Sequence, residues 1–70
     1  MKLARPLSPA QAEVMELAAL GKSRIEIAMI LHEPEMAVKS KLDAAKRKLG
    51  ASNVTLAVAR YLEGKFKAPY

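Results

Sequence analysis

The chain of 70 residues contains no cysteine and a single histidine. Without cysteine it has neither disulfide bonds nor thiolate ligands for a metal, which fits the reducing conditions of the cytoplasm. His32 has no second histidine or cysteine nearby, so we expect no metal site. The sequence positions suggest neither a nucleophile paired with a base nor a pair of carboxylates for acid–base catalysis. We therefore expect that the protein is not an enzyme and uses no cofactor.

Long hydrophobic runs are also absent. No apolar stretch approaches the roughly 20 residues that a membrane-spanning helix needs, and residues 1–9 lack the apolar segment of a signal peptide. We therefore expect a soluble, cytoplasmic protein with no membrane partner. A chain of this length forms one domain at most and buries only roughly 60% of its unfolded surface, so its core is small.

Positive charge is concentrated in one segment. The chain has twelve Lys and Arg residues against seven Asp and Glu residues, which give a formal net charge of +5. Five of the cations lie between residues 39 and 48, where Asp43 is the only acid. Such a cluster favours a polyanionic partner.

The sequence shows no alternation typical of strands, so we expect an all-α domain. We place it at residues 7–64, between a lead-in at 1–6 and a tail at 65–70. Turn and cap signals divide the domain into four helices. Their predicted core-facing residues are Val14, Leu17, Ala18, Ile27, Ala28, Leu31, Val38, Leu42, Ala45, Leu49, Val54, Ala57, Val58 and Tyr61.

Local signals predict where the first two helices begin and end. Ser8 and Gln11 have the spacing of a capping box, with a proline between them at the first helical position. Gly21 is expected to end this helix, because glycine adopts the left-handed conformation common after helices. Ser23 and Glu26 form a second capping box.

The third helix is expected over residues 34–49, with its proline in the first turn and Gly50 as the C-cap. Either Ser52 or Asn53 caps the fourth helix. We expect Gly64 to end the fourth helix.

The third predicted helix has two distinct faces. Helical spacing puts an apolar stripe on one side, a ridge of mostly short or polar side chains opposite, and lysines along both flanks. These sets are Val38, Leu42, Ala45 and Leu49; Met36, Ser40, Asp43 and Arg47; and Lys39, Lys41, Lys46 and Lys48. Such a helix suits a groove between two phosphate walls. An ordinary amphipathic helix with a solvated lysine-rich face would show the same pattern, so both interpretations stay open from this segment alone.

The order and spacing of these elements resemble the LuxR/GerE-type helix-turn-helix domain of bacterial transcription regulators. The matching positions cover residues 7–62 without an insertion. They are Leu7-Ser8-Pro9, Glu13-Val14, Gly21 with Ser23, Glu26-Ile27-Ala28, Leu31, Val38-Lys39, Lys48-Leu49-Gly50, Ser52-Asn53 and Ala57-Val58. The resemblance implies a scaffold helix, a helix-turn-helix and a fourth helix that commonly mediates dimerisation. We interpret the chain as a stand-alone member of this family.

The resemblance implies a sequence-specific regulator that binds double-stranded DNA through the third helix. Outward positions of that helix would read the major groove, and later positions would contact the DNA backbone. Carried over to this chain, the groove-reading candidates are Lys39, Ser40, Lys41 and Asp43. Lys46, Arg47 and Arg24 complete the predicted DNA-binding set.

The sequence departs from the usual family pattern at Ile25, Met29, Glu33, Met36, Ala37 and Asp43. Asp43 can accept a hydrogen bond from cytosine N4, but its charge also repels phosphate. Ile25, Met29 and Met36 put apolar side chains where polar ones are common. An alternative function is therefore a small regulator of the anti-activator type. It would keep the fold and bind another regulatory protein through this surface.

The fourth helix carries apolar residues on more sides than one small core can bury. Leu56 and Ala59 fall outside its core-facing arc, and Leu62 lies at the edge of that arc. We expect these three residues at the interface of a homodimer. The alternative is a monomer in which Leu56 packs against the tail around Phe66.

Overall fold

The computed structural model describes residues 7–66, which form four helices. These are α1 (Pro9–Ala19), α2 (Arg24–Leu31), α3 (Glu35–Leu49) and α4 (Val54–Phe66). No strand occurs in this described range, so the predicted all-α fold with four helices is confirmed. The proposed lead-in at 1–6 and residues 67–70 of the proposed tail lie outside the described residues.

Helices α1 and α2 both begin with the predicted capping boxes. Ser8 Oγ accepts a hydrogen bond from the Gln11 backbone N–H, and the Gln11 side chain accepts one from the Ser8 N–H, both at 3.1 Å. Ser23 and Glu26 form the same reciprocal pair, at 3.1 and 2.7 Å. The hydrogen bond from the Ser23 backbone lowers the pKa of the Glu26 carboxyl, so this cap is charged at neutral pH.

A residue with positive φ follows each of the first three helices. Gly21 and Gly50 adopt φ values of 89° and 66° after α1 and α3, as predicted. After α2 this position belongs to His32, with φ of 56°. Histidine is one of the few residue types besides glycine that enters the left-handed region with some frequency. The lone histidine therefore lies in the turn between α2 and α3 as a backbone cap.

Two predicted helix boundaries are wrong by one or two residues. α3 begins at Glu35, because Pro34 has an extended ψ of 148° and serves as the N-cap. The proline carbonyl accepts the first helical hydrogen bonds from positions 37 and 38. α4 continues to Phe66 instead of ending at Gly64. Gly64 has no positive φ, and a glycine inside a helix costs only about 1 kcal/mol.

Of the two candidate caps of α4, Ser52 and Asn53, it is Asn53 that caps the helix. Its Oδ1 accepts a 2.8 Å hydrogen bond from the backbone N–H of Leu56, the third residue of the helix. This is the usual geometry of an asparagine N-cap. From this cap α4 runs against α1 and α3, and it contacts both.

One apolar core receives residues from all four helices. α1 contacts each of the other helices, and α3 also contacts α2 and α4. The predicted inward phase of the helices is confirmed at most positions. The buried residues are Val14, Met15, Ile27, Ala28, Val38, Leu42, Ala45 and Ala57, with Leu17, Ala18, Leu31, Leu49, Val58 and Tyr61 partly buried against them.

Two positions depart from the predicted core. Met15 is completely buried, although the single inward stripe predicted for the first helix leaves it out. α1 is enclosed by three other helices, so it buries a wider arc than one stripe. Val54, expected to face the core, is 38% exposed. As the first residue of α4 it lies at the edge of a cleft beside Leu42.

Candidate nucleic-acid interface

Helix α3 is held by its apolar stripe, which fixes what it presents to solvent. Val38 and Ala45 are completely inaccessible and Leu42 is 6% exposed. The opposite ridge therefore faces outward. On it Met36, Ser40 and Arg47 are exposed, and Asp43 is half-buried. The predicted phase of this helix is confirmed.

A cleft of about 250 Å³ opens beside this ridge, where the end of α1 and the start of α2 meet α3. It brings together four predicted site residues from two helices: Arg24, Lys39, Asp43 and Lys46. Lys22 also lines it, and sequence reasoning did not identify Lys22 as a site residue. The available signal was its position directly before Ser23, the N-cap of α2.

Asp43 lies in the same cleft and contacts two of its three lysines, Lys39 and Lys46. Lys39 Nζ donates a 3.1 Å hydrogen bond to Asp43 Oδ2, and Lys46 Nζ lies 3.4 Å from Oδ1. The hydrogen bond from Lys39 lowers the pKa of the Asp43 carboxyl, and Lys46 acts in the same direction. At neutral pH this site therefore contains a carboxylate between two ammonium groups.

Two further cations are paired across the turn between α2 and α3. Arg24 Nε lies 3.1 Å from Glu35 Oε2, and both side chains are nearly half exposed. Lys41 Nζ donates to Glu33 Oε1 at 2.6 Å. Glu33 is one of the residues that departs from the family pattern, and this ion pair gives its carboxylate a partner. Lys41 is not among the residues that line the cleft.

Arg47 differs from the paired cations. Its side chain is exposed, and within residues 7–64 it makes no ion pair or hydrogen bond. On the other flank of α3, Lys48 Nζ donates to Gln11 Oε1 at 2.9 Å, which directs it toward α1. Among the described residues, the cations of α3 are thus of three kinds. Arg47 on the ridge has no ion pair, the lysines at 39, 41 and 46 are paired with carboxylates, and Lys48 contacts α1.

The predicted apolar surface is exposed. Ile25, Met29 and Met36 are 58%, 67% and 73% exposed. Ile25 and Met29 line one shallow groove together with His32, whereas Met36 is not part of its lining. The sequence predicts these side chains as one surface, and the structure brings only the first two together in that groove.

The predicted dimer residues lie on α4. Leu56 is 37% exposed, Ala59 is exposed and Leu62 is half-buried. These exposures agree with the predicted positions of the three residues relative to the core. The dimer interface itself stays a prediction. The alternative contact of Leu56 with the side chain of Phe66 lies outside what the structure describes.

The described residues form neither a metal site nor a membrane span. No cluster of three or more histidine, cysteine, aspartate or glutamate side chains there has an arrangement that could hold a metal ion. None of the helices within residues 7–66 combines the length and apolar character that a membrane span requires.

Comparison with known proteins identifies the family. Residues 5–61 match the family described as "Bacterial regulatory proteins, luxR family". The chain is 46% identical over 56 residues to the HTH-type quorum sensing-dependent transcriptional regulator RpaR of Rhodopseudomonas palustris. The aligned segment covers 80% of this chain and 23% of RpaR. It is also 43% identical over 63 residues to the transcriptional activator protein BjaR1 of Bradyrhizobium diazoefficiens. That aligned segment covers 90% of this chain and 26% of BjaR1.

The chain thus spans about a quarter of the length of these two relatives. The family match covers most of the chain, including α1, α2, α3 and the start of α4. It therefore includes the helices that form the cleft and the outward ridge of α3. The chain belongs to the luxR family of bacterial regulatory proteins, whose members are transcription regulators and not enzymes.

Proposed function

We propose that this domain binds double-stranded DNA in a sequence-specific manner and regulates transcription in the cytoplasm, with α3 as its recognition helix. One observation carries the proposal. Val38, Leu42 and Ala45 of α3 are buried in the core, so the helix presents its opposite ridge to solvent, flanked by cations from α2 and α3. A helix of this form fits the major groove, which is wide enough to admit one.

Each site residue has a role in this arrangement. Ser40 and Asp43 lie on the outward ridge, where side chains reach base edges. Lys39 and Lys41 are in the N-terminal half of α3, the part that enters the groove in helix-turn-helix proteins.

The remaining cations contact the DNA backbone in this proposal. Arg47 has no competing partner in the described chain, so it is available for a phosphate contact. Lys46 and Arg24 reach phosphates beside the cleft once their ion pairs open. Exposed pairs of this type are weak enough for phosphate to replace the carboxylate.

A homodimer is part of the same proposal. Leu56 and Ala59 are exposed on α4 beside the partly buried Leu62. A two-fold contact through these residues would remove apolar surface from water. It would also present two recognition helices to half-sites about one helical turn apart, which makes the second contact intramolecular and raises the affinity.

Selection of bound sequences from a pool of random duplexes tests this function. Enrichment of a defined sequence, arranged as an inverted repeat, is the expected result. The matched control is a chain with Ser40→Glu, which places a negative charge on the outward ridge of α3 without touching the core. Failure of the unmodified domain to enrich any duplex would contradict the proposal, provided that its helix content shows that it is folded.

The exposure of Ile25 and Met29 favours a second candidate function. Two large apolar side chains on one groove can bind an apolar segment of another regulatory protein, and Met36 adds to this surface in the same hypothesis. The double change Ile25→Lys with Met29→Glu should then abolish capture of the partner and leave the domain folded. Partner capture that survives the double change would eliminate this surface as the binding site.

A further inference from the structure

The Asp43 carboxylate bridges the two lysines that flank it on α3. Each carboxylate oxygen has its own lysine, with Oδ2 at 3.1 Å from Lys39 and Oδ1 at 3.4 Å from Lys46. The three residues lie at spacings of four and three along one helix, so they occupy neighbouring surface positions. All three line the cation-rich cleft beside the outward ridge.

This bridge affects two of the groups that DNA binding needs. A phosphate that approaches Lys39 or Lys46 must replace the carboxylate and also come close to its negative charge. The side chains of Lys39, Lys46 and Asp43 are 51%, 27% and 36% exposed, so the bridge is accessible to an incoming phosphate. Asp43 therefore competes with the DNA backbone for the same two ammonium groups.

A carboxylate on the outward ridge also meets base edges selectively. In the major groove, guanine presents only acceptors and thymine an acceptor and a methyl group, so neither can donate to Asp43. Cytosine presents the N4 amino group as a donor, and a carboxylate is its usual side-chain partner. Adenine also presents an amino donor, N6, but it lies beside the N7 acceptor, whose lone pair repels a carboxylate. The unfavourable charge is thus compensated best where a cytosine lies opposite Asp43, and it is not compensated at guanine or thymine.

We propose that Asp43 is a specificity-determining residue, which suppresses binding to arbitrary DNA and favours sites with a cytosine opposite it. On arbitrary duplexes the carboxylate keeps Lys39 and Lys46 partly occupied and repels phosphate. At the preferred site it exchanges its lysine contact for the cytosine N4 amino group, and the lysines become available to the backbone. The inference rests on the proposed function, because it concerns how the same surface discriminates among DNA sequences.

The test compares the unmodified domain with Asp43→Asn. Both are measured on a random-sequence duplex and on the duplex that each one selects, over a range of salt concentrations. Asparagine has nearly the helix propensity of aspartate, and position 43 is outside the core, so the fold is kept. Removal of one negative charge close to phosphate should tighten binding to the random duplex about fivefold at low salt.

The base preference should change as well. Asparagine pairs with adenine N6 and N7, whereas aspartate accepts from cytosine N4. At one position of the selected sequence, cytosine should therefore give way to adenine in the variant. The ratio of affinities for the selected and random duplexes should fall.

Glu13→Gln is the matched control. It changes the net charge by the same amount at an exposed position of α1, the helix that packs against the buried side of α3. If Asp43→Asn tightens random binding no more than this control, or leaves the selected sequence unchanged, the inference is wrong while the proposed function stands. If neither the unmodified domain nor the variant binds any duplex, the proposed function fails and the inference fails with it.

Discussion

The hydroxyl of Tyr61 on α4 donates a 2.5 Å hydrogen bond to the carboxylate of Glu16 on α1, across 45 positions of sequence. The bond joins the first and last helices of the domain on the partly buried edge of the core. Burial, with the hydrogen bond to Glu16 as a second cause, raises the pKa of Tyr61 to about 12. The contact therefore favours the protonated phenol in the folded state.

This contact makes stability depend on pH at the alkaline end. Unfolded tyrosine loses its proton at about pH 10, whereas the folded residue keeps its proton up to about pH 12. The stabilisation is thus complete below the unfolded pKa and is lost as the pH rises through the folded pKa. Tyr61→Phe should lower the free energy of unfolding by about 1 kcal/mol at neutral pH, and the difference from the unmodified chain should shrink in that alkaline window. Urea unfolding of both proteins at a series of pH values measures this difference in the free energy of unfolding. If the difference stayed constant up to about pH 12, the role given to the Tyr61 hydroxyl would be contradicted.

DNA binding through α3 predicts a change in salt dependence. Lys39→Ala with Lys41→Ala should abolish tight duplex binding and leave the helix content intact. Each lost phosphate contact should flatten the slope of log K against log salt by roughly 0.9. The loss should exceed that of two simple contacts, because Lys41→Ala leaves the Glu33 carboxylate without its cation and Lys39→Ala leaves Asp43 with Lys46 as its one remaining cation among the described residues.

A single charge change elsewhere controls for net charge. Arg60 lies exposed on α4, where it donates to the Leu49 carbonyl at 3.4 Å. Arg60→Ala should have a smaller effect on the salt slope than Lys39→Ala, measured by titration at several ionic strengths. Equal affinities of the double variant and the unmodified domain at moderate salt would refute the assignment of α3.

The burial of Leu42 predicts a large loss of stability on truncation. Its side chain is 6% exposed in the core where α2 and α3 meet α1, so Leu42→Ala should cost about 2–5 kcal/mol. In so small a domain that is a large fraction of the total stability. Leu20→Ala is the matched control, since Leu20 is 72% exposed and should lose less than about 0.5 kcal/mol. Similar melting temperatures for the two variants would show that the helix phase is wrong.

Assembly through α4 predicts that a charge at Leu56 disrupts a dimer. Leu56→Glu should keep the helix, because a carboxylate near a helix N-terminus is favourable, and should shift the protein to monomer in sedimentation equilibrium. Thr55→Glu adds the same charge at the neighbouring exposed position and should leave the dimer intact. A dimer is excluded if the unmodified chain stays monomeric at high micromolar concentration and binds DNA without cooperativity between half-sites.

Local sequence was sufficient to predict most helix boundaries. Both capping boxes, at Ser8 and Ser23, and the left-handed glycines after α1 and α3 are where the sequence places them. These features depend on hydrogen bonds and backbone preferences over three or four residues, so no distant partner is needed. The two boundary errors occurred where the local rule permits two outcomes: proline suits both the N-cap and the first turn, and glycine can end a helix or continue it.

The outward ridge of α3 was predictable for a related reason. Its periodic stripe of Val38, Leu42 and Ala45 determines which side is buried, and the opposite side is then the exposed one. The candidate DNA-binding residues follow from that phase together with the family resemblance. The ion pairs that these residues form do not follow from the phase of the helix.

The ion-pair partners of the charged residues were decided by the tertiary structure. The contact of Lys41 with Glu33 spans eight residues and that of Arg24 with Glu35 spans eleven, and both depend on how α2 and α3 meet across their turn. Met15 is buried because three helices enclose α1, a fact that one helix's periodicity does not contain. The sequence by itself determined the four helices and the direction of the main apolar stripe on each one, because these follow from short-range spacing. Which charges are paired, and which helices form the cleft, required the packed arrangement, because those contacts join side chains that only folding brings together.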